Sequence, residues 1–211
     1  MRFVAISDTH GKHNFELPEG DVLLHAGDVS SRGLKTEIQR FLDWFAGLDY
    51  TYKIFIAGNH DFFFEEASAD DIQAMIPPEL IYLNDSGVEI AGIHIWGSPI
   101  QPWFYDWAFN RQRGPAIQKH WDLIPANSDI VITHGPVFGI HDRTVSGLPV
   151  GCEGLLPVIQ RIKPKVHLCG HIHEAYGSRQ VGETLYLNAS ILDVRYTIAN
   201  PPIVFDVDAI T

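Results

Sequence analysis

The sequence contains only two cysteines, Cys152 and Cys169, in 211 residues. That is too few for the disulfide framework that holds small secreted chains together, and both read as small buried hydrophobes rather than reactive thiols. Basic residues are also scarce: 15 Lys and Arg stand against 26 Asp and Glu, a formal net charge of −11. A protein that grips extended DNA or RNA through the phosphate backbone needs a basic face. No cluster of Lys and Arg supplies one, which argues against long nucleic acid as a partner. Long hydrophobic runs are missing too, and with them any segment able to cross a bilayer. The opening stretch MRFVAISDTH passes directly into a strand-like run, without an apolar region ending in a small-residue cleavage site. These absences predict a cytoplasmic protein that does not engage membranes. Internal repeats, low-complexity tracts and linkers are likewise missing, so one domain is expected over residues 1–211.

What the chain does have is an ordinary globular balance, 45% hydrophobic and 19% charged, with apolar material for one sizeable core. That material comes in short runs followed at once by polar residues. RFVAIS leads to DTHG, DVLLHA to GDVS, YKIFIA to GNHD, DIVIT to HGP and KVHLC to GHIH. The runs are rich in Val, Ile, Leu and Phe with little alternation, the pattern of strands buried on both faces. Residues 34–48 predict a helix with Ile38, Phe41, Leu42 and Phe45 on one face. Residues 152–163 predict a weaker helix, destabilised by Pro157 if that residue lies inside it. Residues 110–124 leave open a short helix flanked by loop. The runs at 92–98, 184–190 and 202–208 lack intervening helices and are expected as antiparallel additions. Strands alternating with helices, plus added hairpins, predict a layered α/β sandwich, and leave open whether it has one sheet or two.

In open α/β sheets, ligands sit beyond the carboxyl ends of the strands. Five polar clusters at five strand ends can therefore converge on one place. Asp8 and His10, two residues apart, offer an oxygen and a nitrogen to one cation. Asp28 follows Gly27, and its two oxygens suit it to bridge two metals. Asn59 offers a neutral amide oxygen, with His60 and Asp61 directly after it. His134 follows the DIVIT run, and His171 and His173 follow Gly170. Taken singly, each of these is more often a turn or a hydrogen-bonded polar residue than a ligand. All five in series, each closing an apolar run, point to a metal site.

The series DTH, GD, GNHD, H and GHIH, spanning Asp8 to His173, resembles the calcineurin-like metallophosphoesterase superfamily. ISDTH, LLHAGD, YKIFIAGNHD, LIPANSDIVITHGP, PPIVFD and the tryptophan-rich PWFYDWAFN resemble, more narrowly, the small metallophosphatase-domain-containing phosphodiesterases. The resemblance implies a layered αββα sandwich of two mixed β-sheets flanked by helices. It implies a first metal on Asp8, His10, Asp28 and His173, and a second on Asp28, Asn59, His134 and His171. His60 would be the catalytic histidine near the leaving group and Asp61 its orienting partner. Some animal members of the narrower family have glycine in place of His171. This chain keeps the histidine, so its motif implies an intact second site. Two divalent ions about 3.5–4 Å apart can activate a water and clamp both oxygens of an in-line displacement at phosphorus. Asp8 and Asp28 are the only carboxylates in that set, so a loaded pocket would be locally positive within an acidic chain and would attract a phosphate ester. Imidazole, carboxylate and amide donors without a thiolate suit manganese, iron or zinc, and the resemblance favours manganese.

The expected reaction is hydrolysis of a phosphodiester in a small nucleotide-like substrate. A phosphomonoesterase or protein phosphatase shares the same motifs. A non-catalytic binding module of this fold would be expected to lose ligands, and none is lost here. His25 and His167 read as hydrogen-bonded core histidines more than as partners of metal ligands. His94 falls on the polar face of its strand, and His13 and His120 have no motif beside them. Residues 102–114 carry five aromatics and two arginines. Either they form a lid that stacks a base, with Arg113 gripping phosphate, or the aromatics are core. Arg143 is a second candidate for the substrate phosphate.

Overall fold

The computed structural model describes residues 1–208. The first half of the chain runs β1 (Arg2–Ile6), β2 (Val22–Ala26), α1 (Lys35–Ala46), β3 (Tyr52–Ile56), α2 (Phe62–Glu66), α3 (Ala69–Met75), β4 (Leu80–Tyr82), β5 (Ser86–Ile90) and β6 (Ile93–Ser98). It continues with β7 (Gln101–Pro102), β8 (Asn110–Arg111), α4 (Pro115–Trp121), β9 (Ile130–Thr133), α5 (Leu155–Ile162) and β10 (Val166–Cys169). A 3-10 turn at His173–Ala175 precedes β11 (Gly177–Val181), β12 (Thr184–Asn188) and β13 (Ile203–Asp206). No helix among the described residues is long and apolar enough to cross a membrane.

Two mixed sheets result. The first has the order β13-β1-β2-β3-β4 and the second β11-β12-β10-β9-β6-β5, while β7 and β8 pair separately. Within the first sheet β1 to β4 are parallel and β13 adds antiparallel to β1. In the second, β12, β10, β9 and β6 are parallel, with antiparallel edges β11 and β5. Of the three strands expected as antiparallel additions, only β13 is purely that. β6 and β12 each pair parallel with one neighbour and antiparallel with the other. A hairpin partner precedes each in sequence, so the local pattern shows only the hairpin.

Side-chain alternation explains why both sheets are apolar on both faces. Phe3 and Ala5 of β1, Leu24 of β2 and Ile54 of β3 join Ile95, Ile130, Ile132 and Leu168 in a core between the sheets. Their neighbours Val4, Ile6, Leu23 and Phe55 join Ile38, Phe41, Leu42 and Phe45 of α1. The opposite outer face, with Trp96, Val131 and Tyr186, shares a cluster with Ile117 and Trp121 of α4 and Leu155, Val158 and Ile159 of α5. A strand sandwiched in this way reads as a continuous apolar run.

The helices start where local chemistry allows. The Glu37 carboxylate accepts from the backbone of Arg32 and Leu34, satisfying donors at the start of α1. Pro115 opens α4, where a missing N–H costs nothing. Pro157 lies inside α5, but as its third residue. The first-turn N–H groups have no intrahelical acceptor, so proline there leaves the ladder intact.

His25 and His167 are buried with defined protonation. Gly27 N–H donates to His25 Nδ1, so Nε2 carries the proton given to the Thr9 hydroxyl at 2.9 Å. The Thr133 hydroxyl gives its only proton to Gly135 O, so it accepts from His167 Nε2 at 2.9 Å. Burial lowers both imidazoles to about 3. The unfolded chain therefore binds a proton at each position below about pH 6.5 that the native state refuses. The contribution of these two histidines to stability should be fully present above pH 6.5 and fall between there and pH 3. His167→Gln should flatten this slope by up to about 1.4 kcal/mol per pH unit relative to wild type, measured by guanidinium unfolding in chelator at pH 7, 6 and 5.

Candidate metal centre

The carboxyl ends of six parallel strands meet at one edge shared by the two sheets. Ser7, just after β1, bridges to Ser190, just after β12. Around this seam lie Asp8 and His10 after β1, Asp28 after β2, Asn59 and His60 after β3, His134 after β9, and His171 and His173 after β10. The loops are wound tightly. Asp8, His10, Asp28 and His171 have φ of 53°, 46°, 55° and 67°, left-handed values that non-glycine residues seldom adopt and that cluster at functional sites. Cross-strand bonds hold them there: Asp8 N–H donates to Gly27 O at 2.9 Å and His10 N–H to Asp28 O at 3.0 Å. Gly27, at φ 98°, packs so closely that a β-carbon would lie 2.6 Å from Ala57 O and from His134 Nδ1. A β-carbon at Gly170 would collide with Ser7 and the Asp8 carboxylate.

The imidazoles share one orientation rule. Nδ1 of His10, His60, His134 and His173 lies 2.8–3.1 Å from the backbone oxygens of Ser30, Ser31, Ala26 and Asp193 respectively. A carbonyl only accepts, so each Nδ1 carries a proton and each Nε2 is left for the site. Locking one ring nitrogen on a carbonyl so that the other can ligate is the usual support of a metal-bound histidine. Nε2 of His10 is buried with no hydrogen-bond partner, an arrangement that costs free energy unless something occupies its lone pair.

Donor atoms gather into three groups, each within 4.8 Å: Asp8, His10 and His173; His10, Asp28 and His60; and Asp28, His134 and His171. Asn59 Oδ1 lies 2.9 Å from His134 Nε2, in the same volume as the last group. His171 and His173 thus fall in different groups although one residue separates them. Asp28 and His10 each belong to two.

The electrostatics of the polypeptide alone call for cations. Asp8 and Asp28 are buried. Burial opposes their charge, yet His173 beside Asp8 and His134 beside Asp28 hold both carboxyls well below the usual range. Burial equally opposes charge on the histidines, but Asp28 carries His134 up to about 9 and Asp8 carries His173 up to about 9. Burial keeps His171 neutral, lowered to about 3. Two protons thus sit where the carboxylates attract positive charge, on nitrogens that would ligate once deprotonated. The donor set fits a dinuclear site.

Four expectations need correction or refinement. The anticipated contact between Asp61 and His60 is not formed. The buried Asp61 carboxylate instead accepts from Val29 N–H, Ser30 N–H, the Ser30 hydroxyl and Gly58 N–H at 2.6–3.1 Å. The start of α2 turns it inward, while His60 is held by Ser31. Arg113 does line the cavity, but it donates to Gly151 O and Val150 O and pairs with Glu153, so its guanidinium straps two loops together. Arg143 is exposed and donates to Gly147 O within its own loop, and Thr144 meets the cavity in its place. The aromatic segment is both wall and core: Phe104 and Trp107 line the cavity, while Phe109 is buried.

Sequence reasoning missed Ser190, whose hydroxyl donates to Asp8 Oδ2 at 2.8 Å, and Tyr196, which lines the cavity and packs edge-on to His10 at 4.9 Å. Ser190 ends the apolar run TLYLNA, so a sixth strand end was present to be counted. No local signal marks Tyr196.

An αββα sandwich with paired His and Asp groups at the common edge of its sheets has the architecture of a metal-dependent hydrolase. Residues 1–175 match the family model described as Calcineurin-like phosphoesterase, and the chain belongs to that family of metal-dependent phosphoesterases. It is 45% identical over 229 aligned positions to human metallophosphoesterase domain-containing protein 1, covering 97% of this chain and 70% of the human protein. The mouse protein of that name gives the same values. At the level of fold, the structure of a phosphopantetheinyl hydrolase from Mycobacterium tuberculosis superposes with a TM-score of 0.59 at 14% identity, covering 92% of this chain and 90% of that one.

Imidazoles raised to about 9 are protonated at neutral pH and must lose that proton to ligate. Loading the chelated protein with manganese at pH 7 in weak buffer should therefore release protons, and affinity should rise with pH towards 9. Titration calorimetry in buffers of different ionisation enthalpy checks both, and pH-independent affinity would refute this charge balance.

Proposed function

We propose that this chain hydrolyses phosphodiester bonds of small nucleotide-like esters, with manganese as its metal. Asp8, His10, Asp28 and His173 would hold one ion, and Asp28, Asn59, His134 and His171 the other. The observation that carries this reading is the buried Asp28 carboxylate, which lies between two sets of donors. His10 Nε2 is 3.6 Å and His134 Nε2 3.4 Å from its Oδ2. When bound, the ions would supply Lewis acidity and lower the pKa of a nucleophilic water.

The chain's own residues supply orientation and proton transfer. A cavity of about 380 Å³ opens over the clusters, lined by Asp28, Asn59, His60, His171 and His173 on its polar side. Pro102, Trp103, Phe104, Trp107 and Tyr196 form apolar walls. The volume suits a small ester. A second ester substituent has an apolar surface to lie on, which favours diesters over monoesters. With Nδ1 tied to Ser31 O, the imidazolium form of His60 would present its Nε2 proton to the departing oxygen and be left as the neutral Nδ1–H ring.

Two variants test the assignment. His171→Gly should weaken the second site selectively, leaving close to one manganese per chain by elemental analysis under conditions that load wild type with two. Loss of both ions, or of neither, would refute the separate roles of His171 and His173. His60→Ala should keep both metals and lose about a hundred- to ten-thousand-fold on nucleotide diesters that expel a ribose hydroxyl. It should lose much less on nitrophenyl esters, whose leaving group departs without a proton. Equal losses on both would remove the acid role. Faster turnover of phosphomonoesters or phosphopeptides than of any diester would overturn the substrate class.

A further inference from the structure

Nothing in the hydrogen bonding of His60 fixes the plane of its ring. The bond from Nδ1 to Ser31 O, 2.8 Å long, holds one atom, and the imidazole can still swing about that axis. Two neighbours close off the swing. His10 stands edge-on to the ring, with centroids 4.6 Å apart and planes at 86°. Trp107 lies over it, with centroids 4.4 Å apart and planes at 34°. Trp107 also packs near Phe62, the first residue of α2, at 6.0 Å.

The indole is itself anchored from below. Ala108 N–H donates to Asn59 O at 3.2 Å, and Phe109 N–H to Glu65 Oε2 at 2.8 Å. Arg111 donates to the other oxygen of Glu65 at 2.9 Å. Glu65 belongs to α2, the helix that begins two residues after His60. The loop carrying Trp107 is thus pinned to the segment that carries His60: its exposed residues Trp103, Tyr105 and Asp106 precede the half-buried Trp107, and the buried Ala108 and Phe109 follow it.

We propose that Trp107 is a positioning residue for His60: it holds the imidazole plane so that Nε2 faces the departing oxygen, and Glu65 holds Trp107 in register. This rests on the reading of His60 as the proton donor. A side chain that acts through His60 has three consequences that one binding substrate directly does not. Its removal should lower kcat only where the leaving group needs a proton. It should add little once His60 is gone. A smaller aromatic ring should restore most of the effect, since ring packing is what is required.

The test uses the manganese-loaded protein and two diesters of one nucleotide, one expelling a ribose hydroxyl and one expelling nitrophenolate. Because the indole also walls the cavity, Trp107→Ala is expected to raise KM for both esters alike, and to lower kcat for the first by about tenfold or more relative to kcat for the second. Both metals should be retained. Trp107→Phe should recover most of the loss, and Glu65→Gln should fall between the two. In the double variant, Trp107→Ala should cost less than about twofold on top of His60→Ala. Equal losses of kcat on both esters, or losses that multiply in the double variant, would overturn the positioning role and leave Trp107 a cavity wall alone. If Trp107→Ala fails to fold, the Trp107→Phe and Glu65→Gln variants decide by the same ratio of the two esters. If His60→Ala itself does not discriminate between the esters, the proton-donor reading falls and this proposal with it. If His60→Ala discriminates and Trp107→Ala does not, only the positioning role is lost.

Discussion

The centre depends on one buried carboxylate that does not line the cavity. Asp61 accepts from four donors in the loops after β2 and β3, and so ties the turn bearing Asp28 to the turn bearing Asn59 and His60. Its position is electrostatically poor: burial and the nearby Asp28 push it up to about 6. The donors partly offset that cost, and a carboxylate can satisfy all of them at once where an amide would bring its own unpaired N–H groups. Once the two turns are joined, Asp28 is held in its left-handed conformation, with its Oδ1 accepting from His60 N–H at 2.8 Å. That carboxylate belongs to two of the three donor groups, with His10 and His60 in one and His134 and His171 in the other.

The histidines obey a second constraint that follows from the first. A backbone wound tightly enough to place several ligands in one small volume exposes carbonyl oxygens that need donors. Those of Ala26, Ser30, Ser31 and Asp193 find them in imidazole Nδ1 atoms. The same bonds that satisfy the turns set each tautomer and aim each Nε2. Local folding and ligand orientation are therefore one event.

Features with a local cause were legible in the sequence. The five motif-bearing strand ends follow from doubly buried strands, which need continuous apolar runs and release polar residues at their tips. The α1 face and the buried state of His25, His167 and both cysteines follow from similar patterns. Features created by contact between distant segments were not legible. Asp61 sits beside His60 in the chain, and only the fold reveals that it turns towards residues about thirty positions earlier. Arg113 carries the charge expected of a phosphate ligand, but carbonyls of the loop near residue 150 had already claimed its donors. The run FFFEE of α2 is too short and too aromatic to announce a helix, although its Glu65 organises the wall opposite.

The seam between the sheets also changes what kind of polymer this is. Asp8, His10, Asp28 and Asn59 come from one sheet, and His134, His171 and His173 from the other. The contact between His171 N–H and the Asp8 carboxylate alone spans 163 residues of chain. Ions shared across that gap would act as reversible cross-links in a protein whose two cysteines are both free, closing one of the longest loops available to it and restricting the unfolded ensemble as a disulfide does. Unlike a disulfide, such a cross-link has a strength set by the surrounding concentration of free metal. The supply of a trace element would thereby govern the lifetime of the fold as well as its chemistry.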